Sequence, residues 1–200
     1  MQYFDTLPKI VQYDSKGTGK IFTNLLARAS VIPELLKNPA LYYQYDIQDG
    51  DTPEIVAHKY YGDSYRYWLV LFVNEISDPQ WGWPLSQKDF NAYINKKYNG
   101  STSIYSDAHH YEKILTQYDY DTNITTTNKV IVDETTYNSI VPQTNTFSLP
   151  TGQVSITVGK SAISIYDYEL DLNEQKRNIK ILNSTYTNQV EEEFKKLMAN

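Results

Sequence analysis

Between Tyr42 and Pro79 the chain is punctuated at intervals that leave room only for one strand and two short helices. Residues 42–48, Tyr-Tyr-Gln-Tyr-Asp-Ile-Gln, alternate as a half-buried strand does. Gly50-Asp51 supplies a turn and Thr52 a helix N-cap. Pro53 stands at the first helical position, where no N–H is needed, and Glu54 faces the positive end of the helix dipole. That helix ends at Gly62, because a left-handed C-cap suits glycine. Ser64 then caps a second helix from Tyr65 to about Glu75. Asp78-Pro79 stops it, since the residue before a proline is pushed out of the helical region.

Outside this stretch the signals are looser. Residues 1–41 read as an N-terminal arm with short helices: Ile21, Phe22, Leu25, Leu26 and Ala29 fall at helical spacing, and Pro33 interrupts them. Lys16-Gly-Thr-Gly-Lys20 lacks the spacing of a phosphate loop and reads as a flexible turn. Trp81-Gly82-Trp83-Pro84-Leu85 reads as a short extended segment that closes a βααβ unit over 42–85. A connecting helix over 86–102 begins at Ser86, carries Phe90, Tyr93, Ile94 and Tyr98 on one stripe, and ends at Asn99-Gly100. Thr, Ser, Val, Ile and Asn dominate 103–168, with strands expected at 124–132, 146–149, 154–158 and 162–166. Residues 169–200 return to helix, with Asn178–Leu182 a candidate strand. Ser184 caps the last helix, whose stripe is Tyr186, Val190, Phe194 and Leu197. The expected fold class is α+β: a βααβ core, flanking helices, and an inserted small antiparallel β region.

Composition narrows the function. The net charge of −6 argues against nucleic acid, which is bound by a basic face that displaces counterions. With no cysteine there are neither disulfides nor thiolate metal sites. The start, Met1-Gln2-Tyr3-Phe4-Asp5, lacks a basic segment followed by an apolar run, so the expectation is a cytoplasmic product without a signal peptide. No apolar stretch approaches the ~20 residues that span a bilayer. Nineteen tyrosines suit protein contact surfaces, because each buries a ring and still offers a hydroxyl, but tyrosine also stacks on sugars, so the count does not choose a partner. His109, His110 and Glu112 invite a metal reading, but adjacent histidines in a regular strand point to opposite faces. The three histidines sit near no nucleophile-elbow motif. Neither catalysis nor a cofactor or metal is expected.

Residues 45–79 resemble the LysM module in an ordered series: Tyr45, Ile47, Gly50-Asp51-Thr52, Ile55, Ala57, Tyr60, Gly62, Tyr67, Val70, Leu71, Asn74, Ile76 and Asp78-Pro79. The continuation departs from carbohydrate-binding modules, which go on to a glycine-rich turn and a strand ending in Ile-Pro. Several features instead resemble the LysM-like baseplate wedge subunit of T-even-like contractile-tailed bacteriophages. They are Tyr61-Gly62 through Tyr67-Trp68, the Asn74 to Asp78-Pro79 step, Gly82-Trp83 before a helix, and Asn173-Glu174 with Arg177, Ile179, Lys180 and Ile181 before the last helix. His109-His110-Tyr111-Glu112 is similar to versions from phages of marine cyanobacteria. The resemblance implies a structural virion protein assembled in the host cytoplasm. Its implied partners are other wedge core proteins and the sheath-initiating subunit, with the central hub a further candidate. A six-fold ring is expected only together with those partners. The alternative reading is a peptidoglycan- or chitin-binding LysM protein.

The second helix carries the candidate interaction surface. In ordinary LysM modules the positions matching Trp68, Leu69 and Phe72 face water and are charged; here all three are large and apolar. Spaced i, i+1 and i+4, they share one side, so the helix is apolar nearly all round and calls for cover on both sides. Flanking segments of the same chain or a partner subunit are the two sources of cover. Trp81 and Trp83 extend the candidate surface.

Overall fold

The structure is a computed structural model, and it describes residues 3–27, 29, 38–150 and 152–199. In chain order its strands are β1 (Lys9–Tyr13), β2 (Gly19–Thr23), β3 (Tyr42–Asp46), β4 (Ala108–Asp119), β5 (Ile124–Val132), β6 (Gln143–Leu149), β7 (Gly152–Ser164) and β8 (Asn178–Leu182). The α-helices among the described residues are α1 (Pro53–Tyr61), α2 (Tyr67–Val73), α3 (Pro79–Gly82), α4 (Gln87–Lys97), α5 (Glu134–Ser139), α6 (Ile165–Glu174) and α7 (Thr187–Ala199). The class is α+β, and the chain divides into two compact units, residues 1–90 with 173–200 and residues 91–172.

In the first unit, local signals place β3, α1 and α2 where the sequence expects them. Gly50 and Gly62 take φ of 83° and 69°, and the Thr52 side chain accepts the Ile55 N–H at 3.4 Å. The second helix starts differently: Asp63, not Ser64, is the cap, and a 3-10 turn over Ser64–Arg66 precedes α2.

The strand that pairs with β3 is not the expected one. Pro79–Gly82 forms the helical turn α3, capped by Asp78, whose carboxylate accepts the Gln80 N–H at 3.0 Å. Asp-Pro is a stop for the helix before it and equally an N-cap followed by an N1 proline for a helix after it. The partner of β3 is β8, antiparallel, with register Tyr42↔Leu182 through Asp46↔Asn178. Ile179 and Ile181 of β8 point to one face and meet Ile47, Val56, Ala57, Val70, Leu71 and Trp83 in the principal core.

A second core lies on the other side of α2, where Trp68 and Leu69 pack with Leu7, Phe194 and Met198. The inner stripe of α7 differs from the expected one. Thr187, Glu191, Phe194 and Met198 are buried, whereas Tyr186 and Leu197 are exposed. Glu191 belongs inside because Arg66 Nε donates to it at 2.9 Å. An acid counted as surface by its type is thus neutralised from another element.

The expected helix around Ile21–Ala29 is replaced by the hairpin β1–β2, in register Lys9↔Thr23 through Tyr13↔Gly19. Asp14 builds its turn by accepting the N–H of Lys16 and of Thr18, each at 2.9 Å, and Gly17 takes a φ of 75°. Ile21 and Phe22 have high strand propensity, and the turn outcompetes a helical spacing that involves few residues. Pro33 lies outside the described residues.

The second unit holds a four-stranded antiparallel sheet of order β5-β4-β7-β6. Strands expected separately at 154–158 and 162–166 are one strand ending at Ser164. There Ser164 Oγ accepts the Asp167 N–H at 3.0 Å and donates to the Asp167 carboxylate at 2.8 Å, and this start of α6 ends the strand. Ser86 and Asp89 begin α4 in the same way.

Candidate interaction surface

The Gly50–Thr52 turn is closed rather than open. Tyr45 Oη donates to Asp51 Oδ2 at 2.5 Å, the Gln48 N–H to the same oxygen at 3.3 Å, and Lys59 Nζ to Oδ1 at 2.7 Å. Burial alone would raise the Asp51 carboxyl, but the Lys59 ammonium, the Tyr45 hydroxyl and the Gln48 amide outweigh it and hold it below its usual value. The buried Trp83 donates its indole N–H to the Asp51 carbonyl at 2.8 Å. Asn74 caps α2 and bonds to β8, while Pro79 opens α3. Gly50, Thr52, Gly62, Asn74 and Pro79 therefore all act on backbone geometry.

The five apolar candidates do not form one surface. Trp68 is 4% exposed, Leu69 is fully buried and Trp83 is 8% exposed, all inside this chain's own cores. The ring of Phe194, on α7, lies 4.8 Å from Trp68 and 5.7 Å from Phe72, centroid to centroid. Phe72 is half-buried and borders an apolar groove of about 530 Å³ with Tyr3, Phe4, Leu25 and Ile76. Trp81 alone of the five is open, at 62% exposure.

Further exposed apolar side chains lie on the four-stranded sheet. Directly paired residues share a face of a sheet, so the register of the four-stranded sheet sorts its side chains. One face is hydroxyl-rich: Thr127, Thr116, Thr157 and Thr144 form a row across all four strands, with Thr125, Tyr118, Ser155 and Thr146 beside it. The opposite face carries Leu115, Val154 and Val158, half-buried, with Ile124, Val130, Phe147, Leu149 and Ile156 exposed. Helix α5 packs at one end of that face, where the Tyr137 ring lies tilted 4.6 Å from that of Tyr111 and Lys160 Nζ donates to the Tyr137 carbonyl at 2.9 Å. Alternation over 124–132 and 146–149 was visible in the sequence; which residues of four strands share a face becomes visible only with the register.

The histidines correct a geometric expectation. The β4–β7 register shifts between Ala108 and His110, and this irregularity brings the two rings together, Nδ1 to Nδ1, at 2.9 Å. His109 stacks on Tyr168 at 3.7 Å, and His110 Nε2 lies 3.5 Å from Glu112. Among the described residues no group of three or more His, Asp or Glu side chains is placed to hold a metal ion.

A protein-family model described as Base plate wedge protein 53 matches residues 18–197. The chain belongs to that family. It is also 34% identical over 82 residues to the baseplate wedge protein gp53 of Enterobacteria phage T4. That match covers 40% of this chain and 42% of the T4 protein, so the chain spans under half the length of the curated relative it matches. Membership makes the chain a structural protein of the phage tail baseplate wedge, a component of the virion. No helix among the described residues is long and apolar enough to cross a membrane.

Proposed function

We propose that this wedge protein is a non-catalytic docking subunit whose LysM-like core is a scaffold for protein contacts rather than a sugar site. Its partners on this reading are other wedge core proteins and the sheath-initiating subunit, with the central hub next to them; nucleic acid and membrane have no part. The βααβ likeness rests on β3, α1 and α2, completed by β8 from beyond residue 170. The uncovered apolar face of the four-stranded sheet carries the proposal. Five large apolar side chains about half exposed to water forgo roughly 1 kcal/mol each, and clustered apolar exposure of that kind marks an interaction site. The closed turn supports the same reading. In sugar-binding LysM modules the groove lies beside this turn, and here the Trp83 indole occupies the Asp51 carbonyl.

Reconstitution tests it. Wedge proteins of the same phage, mixed with and without this chain, are expected to join into six-fold rings only when it is present. Insoluble peptidoglycan is expected to leave the chain in the supernatant. Failure to enter wedges, together with peptidoglycan retention that Asp51→Ala or Trp81→Ala abolishes, would favour the glycan-binding alternative.

A further inference from the structure

The hairpin β1–β2 is a sheet of two strands, and no other strand among the described residues pairs with it. Every residue of both strands is exposed. Val11 and Ile21 stand opposite each other on one face, with Tyr13 across from Gly19 beside them; Ile10 and Phe22 stand opposite each other on the other face. Two strands alone are marginal in water, and among the described residues no strand pairs with either outer edge of this pair.

The charge of the hairpin runs against that of the chain. Lys9, Lys16 and Lys20 face a single acid, Asp14, whose carboxylate is turned inward onto the Lys16 and Thr18 N–H groups. The whole chain carries −6, so this is a basic, apolar strand pair on an acidic protein. The strand edges of a second copy offer little acid: among the described strands β5 has one charge, Lys129, β6 has none, and β3 has a single carboxylate, Asp46. The outer edge of β8 is taken by the Asn74 amide at Lys180.

We propose that β1–β2 takes an extended acidic segment of another baseplate wedge protein as a third strand. Main-chain hydrogen bonds along the free edge supply affinity, Val11, Tyr13 and Ile21 supply apolar contact, and the three lysines select for carboxylates. The inference rests on the docking role above and adds the surface and the chemistry of its occupant.

The test uses the full chain and immobilised wedges of the same phage assembled without it. One variant reverses charge, Lys9→Glu with Lys16→Glu and Lys20→Glu. A second, Val11→Thr with Ile21→Thr, keeps β-branched residues and removes apolar surface. Each is expected to bind at least about tenfold more weakly than the parent with an unchanged melting temperature, and parent binding is expected to weaken with salt while that of the charge variant does not. Parent-like binding by both variants overturns the hairpin assignment and leaves the docking role intact. Parent dimers in ultracentrifugation that these substitutions dissolve overturn it in favour of a second copy. A parent that binds no wedge protein removes the docking role and this inference together.

Discussion

Asn74 ends α2 and pairs with β8 in place of a strand: its amide nitrogen donates to the carbonyls of Lys180 at 2.7 Å and Val70 at 2.8 Å, and its oxygen accepts the Lys180 N–H at 2.8 Å. Asn74→Leu strips partners from part-buried backbone groups and is expected to cost about 2–4 kcal/mol in urea unfolding. Asn74→Asp keeps the acceptor but turns a carboxylate oxygen onto the Val70 and Lys180 carbonyls, and is expected to cost at least as much at neutral pH. In the second unit Glu169 accepts Lys97 Nζ at 2.6 Å and Tyr98 Oη at 2.8 Å. Burial pushes its carboxyl up, but the ammonium and the hydroxyl outweigh burial and leave it below its usual value. A carboxyl depressed in the folded state stabilises fully above its unfolded pKa, and that contribution fades as pH falls through the depressed value. Glu169→Gln is therefore expected to lower stability at pH 7 and to flatten its decline below about pH 4, read by denaturant unfolding at both pH values. Gly50, Thr52 and Gly62 were legible in the sequence because their jobs are local. The partners of Asn74 and Glu169 lie 106 and 72 residues away, and nothing in the neighbouring residues announces them.

Two helices illustrate how an element acquires its face. The period of α2 shows apolar residues all round and hence two covers, and the second cover is α7 of the same chain. Trp68→Glu buries a charge against Phe194 and is expected to lower the melting temperature of the isolated protein by 10 °C or more, roughly 3–5 kcal/mol. Trp68→Phe is expected to lose far less, because the Trp68 indole N–H has no hydrogen-bond partner among the described residues, and removing it relieves an unpaired donor. Equal losses from the two substitutions would show that ring volume, not polarity, decides the site. On α7 Val190 and Phe194 pack on the second core as expected, whereas Thr187, Glu191 and Met198 are buried in place of Tyr186 and Leu197, and Glu191 counted as surface until Arg66 appeared beside it. The hairpin and α3 were missed for a related reason: Asp14 and Asp78 make side-chain bonds to the backbone that reset the local conformation, and hydrophobic spacing does not record such bonds.

At the scale of the whole molecule, the net charge of −6 disfavours self-assembly. Ultracentrifugation at micromolar concentration is expected to show a monomer, and a stable hexamer of this chain alone would refute that. The class of the fold, α+β, was legible from the change of residue type after position 103. The closing of β3 by β8 was not, because a candidate strand at 178–182 names no partner by itself. That closure has a consequence during synthesis. When a ribosome has made Val70 and Leu71, the isoleucines that will cover them are still more than a hundred codons ahead, at positions 179 and 181. At about 5–20 residues per second the wait is roughly 5–20 s, with apolar surface open to chaperones and proteases throughout. A product cut short anywhere in that interval keeps its first core exposed. Reading the message past position 181 is thus a condition for closing the first core of a subunit that competes for a place in the virion.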